Sequence, residues 1–501
     1  MKKESRQEKR AGKLVPPRPP RDVCDVRGGE LVRYYGSDEE FVIPDQVTTI
    51  AVGAFRDCRT LTSVVVGKGV TAIRRDAFRD CVNLKQIVLP AGLLEIGESA
   101  FRGCTSLVSL NLPRSVKTVG ESAFRDCTAL KNVNLTTGLV HLGAYAFAGC
   151  EALENLTLPD TLHTLHAGVF LMCASLRTVE IPESVDTIGE YVFGECHALE
   201  EINLTDAVSY VGRGAFAECR SLRHFRAPRR LQFFANYLFC GCESLEDVTV
   251  SDSVSAIGSY AFCGCRSLKR IAIPSTVKRI GRGSFYACSA LERIDLPDSI
   301  RTLERAAFAH CASLCTVHLG SGLEELGEEC FSCCLSLREI NLPASVRLID
   351  DKTFYRCVSL EIIGLPNGLV RIGERAFEEC ALVSLSLPDS VTSVGNYAFA
   401  NCYWLNTFLF PRHRVLIGSS VFAGCAGLEA LVLPARGMRR FRRRELLHIP
   451  GETQIIYHSE LQISWLLTEL GSEGVSDDRR REICAEVRRL AKSLRHKVEE
   501  E

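Results

Sequence analysis

The chain has 501 residues, with 60 lysines and arginines against 61 aspartates and glutamates, a formal net charge of −1. That balance excludes a chain-wide polycation or polyanion, so any electrostatic preference for a partner is local. No run approaches the roughly 18 apolar residues of a membrane-spanning helix.

Residues 1–23 carry Lys2, Lys3, Arg6, Lys9, Arg10, Lys13, Arg18 and Arg21 against Glu4 and Glu8, with Pro16, Pro17, Pro19 and Pro20 behind them. This reads as a disordered basic tail. A secretory signal needs about 7 to 15 apolar residues after such a start. The stretch from Ala11 to Arg21 offers none, so the expected location is the cytoplasm. Residues 24–40 read as an N-terminal entry segment and cap.

From residue 41 to 434 the chain repeats. Phenylalanines stand 23 residues apart from Phe55, Phe78, Phe101, Phe124 and Phe147 through Phe216, Phe262 and Phe285 to Phe377, then at Phe399 and Phe422, 17 in all. Three residues after each comes a cysteine, Cys58, Cys81, Cys104 and Cys127 among them, so 17 of the 24 cysteines occupy one repeat position. Length alone suggests about three domains, but such self-similarity predicts one elongated body whose copies cover each other's apolar faces. The cysteines read as small core hydrophobes. Stacked about 4.8 Å apart, they are wider than the roughly 3.5–4.5 Å between Cβ atoms that a disulfide prefers. A ladder of reduced thiols suits a reducing compartment.

Within one copy, Leu84 to Leu107, the apolar residues are Leu84, Ile87, Leu89, Leu93, Ile96, Ala100, Phe101 and Cys104. Ile87 and Leu89 alternate with Gln86 and Val88, the period of a strand with one buried face. Proline ends that strand in twelve of the 17 copies, and glycine precedes the phenylalanine by four residues in eleven, through positive φ or close packing. The Ala-Phe-x-x-Cys segment has helical spacing. The predicted coil is strand, turn and short helical return. Repeated, it winds a right-handed α/β solenoid, with a parallel sheet on the concave side and bulkier helical turns on the convex side. Eighteen strands, from Phe41-Val42-Ile43 to Leu431-Val432-Leu433, give an arc on the order of 80 Å.

The spacing, the Leu-Pro strand end, the Ile-Gly turn and the Ala-Phe-x-x-Cys return resemble the BspA-type leucine-rich repeat over roughly residues 30–434. The lead-in from Gly28 to Gly36 resembles the way arrays of that family begin. Serine or threonine in eight copies (Ser115, Thr161, Ser184) and glycine in five stand where many other leucine-rich repeats place asparagine. The resemblance implies a cell-surface or secreted protein that binds host proteins or other cells.

No H-E-x-x-H, catalytic triad order or phosphate-cradling glycine loop is present, and His163 and His166 on one coil read as surface residues. The expectation is a non-enzyme with no cofactor and no small-molecule substrate. The strongest arrangement for zinc is Cys240-Gly241-Cys242 with Cys263-Gly264-Cys265, one repeat apart. The alternative is two core thiols plus two extra ones. His310, Cys311, Cys315, Cys330, Cys333 and Cys334 form a second, weaker cluster.

A protein partner is expected on the outward sheet positions. These run from Val42, Val65 and Val88 through Asn111, Asn134, Thr157, Glu180, Glu201 and Asn203 to a basic sector. The copy from Arg220 to Cys242 departs most from the pattern and mixes aromatics with arginines, the residues interfaces favour. The candidate contact residues are Arg223, His224, Arg226, Arg230, Phe233, Tyr237, Arg270 and Arg293, against the simpler reading of a locally repacked coil.

Residues 435–458 hold Arg436, Arg439, Arg440, Arg442, Arg443 and Arg444, an arginine-rich linker that also fits phosphates or an anionic surface. Residues 459–501 read as two short helices, the second with a stripe of Ile483, Val487, Leu490 and Leu494, capping the last coil. The leading expectation is a non-enzymatic interaction scaffold. The alternatives are an adhesin exported without a standard signal and a nucleic-acid binder.

Overall fold

The computed structural model describes residues 23–434, 447–458 and positions 482, 485 and 486. The predicted basic tail, the arginine run and nearly all of the C-terminal helical cap fall outside the described residues.

The chain forms a leucine-rich-repeat β-solenoid of about 18 turns. In the coil from Leu84, the strand Gln86–Val88 exposes Gln86 and Val88 and buries Ile87. Pro90, with no N–H to extend the ladder, starts a turn closed by the Leu93 N–H on its carbonyl at 3.1 Å. A second strand, Glu95–Ile96, then buries Ile96. The sequence reading has only a turn there. Both strands pair in parallel with their equivalents one repeat away, Gln86 with Ser63 and Glu95 with Ala72. The longer strands form six sheet segments of two to five strands, and the two-residue strands form segments of three and nine and, with the two strands of an N-terminal hairpin, one of seven.

The third side of each coil is not helical. Residues two before and two after every core phenylalanine are left-handed, as in Ser99 (φ 53°) and Gly103 (φ 74°) around Phe101. Left-handed residues interrupt helical hydrogen bonding. The N–H groups of Ser99, Phe101 and Gly103 instead point along the solenoid, to the carbonyls of Glu121, Ala123 and Arg125 at 2.8, 2.7 and 2.8 Å. Those between them close turns, with Ala100 donating to Gly97 and Arg102 to Ser99. Coils are thus tied together on all three sides. Core phenylalanine rings repeat at 4.6–6.2 Å, close to the strand spacing of about 4.8 Å. Helices would need about 8–10 Å, so the helical bulk expected to force strong curvature is not there.

Phe55, Phe78, Phe101, Phe124, Phe147, Phe216, Phe262, Phe285 and Phe377 are fully buried, as are Cys81, Cys104 and Cys127. From Phe55 to Phe422 the 17 rings form one unbroken stack, within 1° of parallel at Phe101 and Phe124. Beside it, 16 cysteine thiols each donate to the carbonyl of the phenylalanine one coil back, at 3.0–3.4 Å; Cys104 on Phe78 and Cys127 on Phe101 are examples. A small side chain with a weak donor suits this position, because the phenylalanine carbonyl is buried and needs partners. A third file runs through the eight serines and threonines of the pattern. Ser184 donates to Leu162 at 2.7 Å and Thr276 to Val254 at 2.8 Å, each to the preceding coil.

The glycine four residues before the phenylalanine serves close packing. A Cβ on Gly143 would come within 2.5 Å of the Gly120 carbonyl carbon. Between Phe377 and Phe399 the repeat is 22 residues long. The missing residue is taken from the turn between Cys380 and Leu382, and the rings still stack at 5.4 Å and 2°.

At the N-terminus, Cys24–Arg27 and Glu30–Tyr34 form an antiparallel hairpin, and the second strand joins Thr49–Ile50 in parallel. At the other end the solenoid outlasts its phenylalanine beat. Leu447 accepts the Phe422 N–H at 3.2 Å. Gln454–Tyr457, within the segment read as a linker, adds a parallel strand to Ala430–Leu433. Thr453 holds that strand by donating to the Leu428 carbonyl at 2.7 Å.

Candidate functional site

With the core occupied by repeating residues, variation falls on the outward positions. On the longer-strand face, three successive coils carry only uncharged polar residues, Ser109 and Asn111, Asn132 and Asn134, Asn155 and Thr157, and the next pairs Thr178 with Glu180, all exposed. Glu201 follows, and one coil later His224 and Arg226 reverse the charge.

The predicted contact residues divide among three sides. His224, Arg226 and Arg293 are exposed on the longer-strand face, with Arg223 at its edge and Arg270 where strand pairing lapses. Arg230 is exposed in the turn between the two strands. Phe233 lies on the second strand face, 39% exposed and edge-on to Tyr210 at 6.1 Å. Tyr237 is on the turn ridge, stacked with Tyr260 at 5.2 Å and covered by the Arg213 guanidinium at 4.8 Å. Phe225, Phe234 and Phe239 of the same coil are buried and meet edge-on, Phe225 and Phe239 at 4.6 Å. The divergence of this coil is therefore largely internal repacking. The structure brings together Arg223, His224 and Arg226, with Arg270 and Arg293 further along. It does not bring Phe233 or Tyr237 to them.

Electrostatically the cations are unevenly committed. Arg293 makes a bidentate contact with Asp295 at 2.7 and 2.9 Å, and His318 Nδ1 approaches the same carboxylate at 2.6 Å. Arg293, then His318, hold the Asp295 carboxyl below its ordinary value. Arg226 is loosely paired with Asp206 at 3.9 Å and Arg223 with Glu246 at 3.9 Å. His224, Arg230 and Arg270 have no ion pair among the described residues. Exposed pairs of this kind contribute little to stability, so these arginines are available to an acidic ligand.

The cysteine clusters separate. Cys242 and Cys265 turn inward and donate to Phe216 and Phe239 at 3.1 and 3.2 Å, while Cys240 and Cys263 lie half-buried on the turn ridge. In the second cluster Cys311 and Cys334 belong to the core file, Cys330 is buried, and Cys315 is exposed and donates to the Glu292 carbonyl. Among the described residues no three His, Cys, Asp or Glu side chains converge as a metal site would require. His166 packs against His141 with ring centres 5.1 Å apart, and burial followed by His141 lowers its pKa. A concavity of about 900 Å³ lies on the second strand face between Arg282, Arg305 and Arg347 and the carboxylates of Glu304, Glu324 and Asp350. Its charges oppose one another.

Sequence reasoning missed the second strand face altogether. It also missed Tyr403 and Trp404, 58% and 69% exposed. The signal was available: an aromatic pair directly after Cys402, where no other coil carries one.

Parallel strands stacked in register around a phenylalanine file define a leucine-rich-repeat solenoid. The chain belongs to the BspA-type leucine-rich repeat family: the family model, BspA type Leucine rich repeat region (6 copies), matches residues 33–139, 117–246, 232–361 and 325–443. A leucine-rich repeat protein from Bacteroides ovatus ATCC 8483 is 25% identical, with a TM-score of 0.52 over 86% of this chain and 94% of its own. The T. pallidum leucine-rich repeat protein is 30% identical over 38% of this chain and 82% of its own, with a TM-score of 0.30. A leucine-rich cell surface protein from Faecalibacterium prausnitzii A2-165 is 22% identical over 77% and 94%, with a TM-score of 0.33. No curated protein matches the chain.

Proposed function

We propose that this protein is a non-enzymatic interaction scaffold that binds an acidic protein segment on the longer-strand face, centred on Arg223, His224, Arg226 and Arg270. One observation carries the reading. The inward positions repeat with little change, whereas the outward ones vary in charge from coil to coil and leave Arg223 and Arg226 only loosely paired, at 3.9 Å each. A rigid frame with variable polar residues suits recognition, and exposed arginines held only loosely are able to anchor charged partners. The cysteine file is buried as thiols that donate to backbone carbonyls, which supports a reducing compartment.

The test is affinity capture from the native cell by the wild type and by an Arg226→Glu/Arg270→Glu double variant. A protein retained by the first and lost by the second, with unchanged circular dichroism, is the expected result. Equal retention by both would remove the face from consideration.

A further inference from the structure

We propose that Cys240 and Cys263 form a reversible disulfide that staples two neighbouring coils when the protein meets an oxidised low-molecular-weight thiol.

Both residues directly follow a core phenylalanine, a position filled by arginine at Arg56, Arg79, Arg102 and Arg125 and by other non-cysteine residues elsewhere. The repeat therefore does not require cysteine there. Backbone bonds hold the two turns in register: Glu218 N–H donates to the Cys240 carbonyl at 2.6 Å and Gly241 N–H to the Cys263 carbonyl at 2.7 Å. Equivalent residues on hydrogen-bonded coils lie about 4.8 Å apart, inside the 4.4–6.8 Å between Cα atoms that disulfides span, so an approach of roughly 0.3 Å between the two surface turns brings the Cβ atoms within the 3.5–4.5 Å that the bond prefers. The same spacing applies to the core cysteines. Each of those thiols, however, is fixed on a buried phenylalanine carbonyl. Cys240 and Cys263 have no such acceptor and lie half-buried at the surface. Gly241 and Gly264 take the left-handed positions beside them, at φ 76° and 74°, so no side chain from those positions screens the pair.

The electrostatics agree. Interaction with the Cys240 thiol holds the Cys263 pKa below its ordinary value, while the Cys263 thiol, followed by burial, raises that of Cys240. The lower-pKa thiol is the attacking group. Cys263 thiolate attacks glutathione disulfide, forming a mixed disulfide and releasing one glutathione. Cys240 then loses its proton and displaces the second glutathione. Two protein thiols become one disulfide, and one glutathione disulfide becomes two thiols. The staple would lie beside the Tyr237–Tyr260 stack on the turn ridge.

The full-length protein, equilibrated in glutathione buffers of increasing oxidation and acid-quenched, tests this by non-reducing peptide mapping and free-thiol counting. The expected result is the loss of two thiols and a cross-linked peptide pair containing Cys240 and Cys263. Reduced glutathione should reverse it, and either Cys240→Ser or Cys263→Ser should abolish it. Wild-type mapping decides alone if a serine variant folds poorly. Free or singly glutathionylated Cys240 and Cys263 throughout, or a cross-link to Cys315 or Cys333 instead, would overturn the proposal.

Discussion

Gly264 and Gly168 are both left-handed, at φ 74° and 60°, but their surroundings differ. A Cβ on Gly264 would meet nothing closer than 3.8 Å, whereas one on Gly168 would strike the Tyr145 ring at 2.3 Å. Gly264→Ala therefore isolates backbone strain and should cost about 1 kcal/mol, read as a lower urea midpoint. Gly168→Ala should cost more, because the ring must also move. These left-handed positions were illegible in the sequence. Asp76, Ser99, Tyr145, Ala306 and Glu329 all occupy them, so composition carried no signal and the spacing of Ala-Phe-x-x-Cys read as helix. The phenylalanine and cysteine files, by contrast, could be read directly, because only buried positions force one residue type at every copy.

A single coil cannot bury its own phenylalanine; each ring depends on the rings above and below it. Phe216 stacks on Phe193 at 5.9 Å and on Phe239 at 5.8 Å. Phe216→Ala should cost about 3–5 kcal/mol, lowering and broadening the calorimetric melt as the array loses coupling at its middle. Phe233→Ala, on the exposed second strand face, should shift stability by no more than about 0.5 kcal/mol. Equal effects from the two would contradict the packing described. The longer strand was legible from its alternation, but Glu95–Ile96 is too short to show a period of two. Gln454–Tyr457 was hidden for another reason: it lies past the end of the phenylalanine beat, beyond an arginine run whose composition reads as linker. The binding face is the least legible part, since outward positions carry no packing constraint that a sequence could reveal.

At the scale of the whole molecule, the buried thiols couple stability to pH. Burial pushes Cys196, Cys311 and Cys425 from 9.0 up to about 12. A thiol kept neutral by folding contributes its full stability below pH 9. Above that the unfolded chain ionises first, and stability is lost as pH climbs toward 12. Each such thiol weakens the fold by about 1.4 kcal/mol per pH unit across that window. The melting temperature should fall steeply from pH 9 to 10.5, and a Cys196→Ala/Cys311→Ala variant should show a shallower fall. Identical slopes would mean the thiols do not govern the transition.

The N-terminal hairpin has a consequence at the same scale. Its outermost strand runs against the direction of all the others in its sheet. A neighbouring molecule arriving end to end would meet a reversed strand there and could not continue the in-register parallel pairing that joins one coil to the next. The solenoid is thereby discouraged from growing head-to-tail into a filament, the hazard inherent in any stack of interchangeable layers.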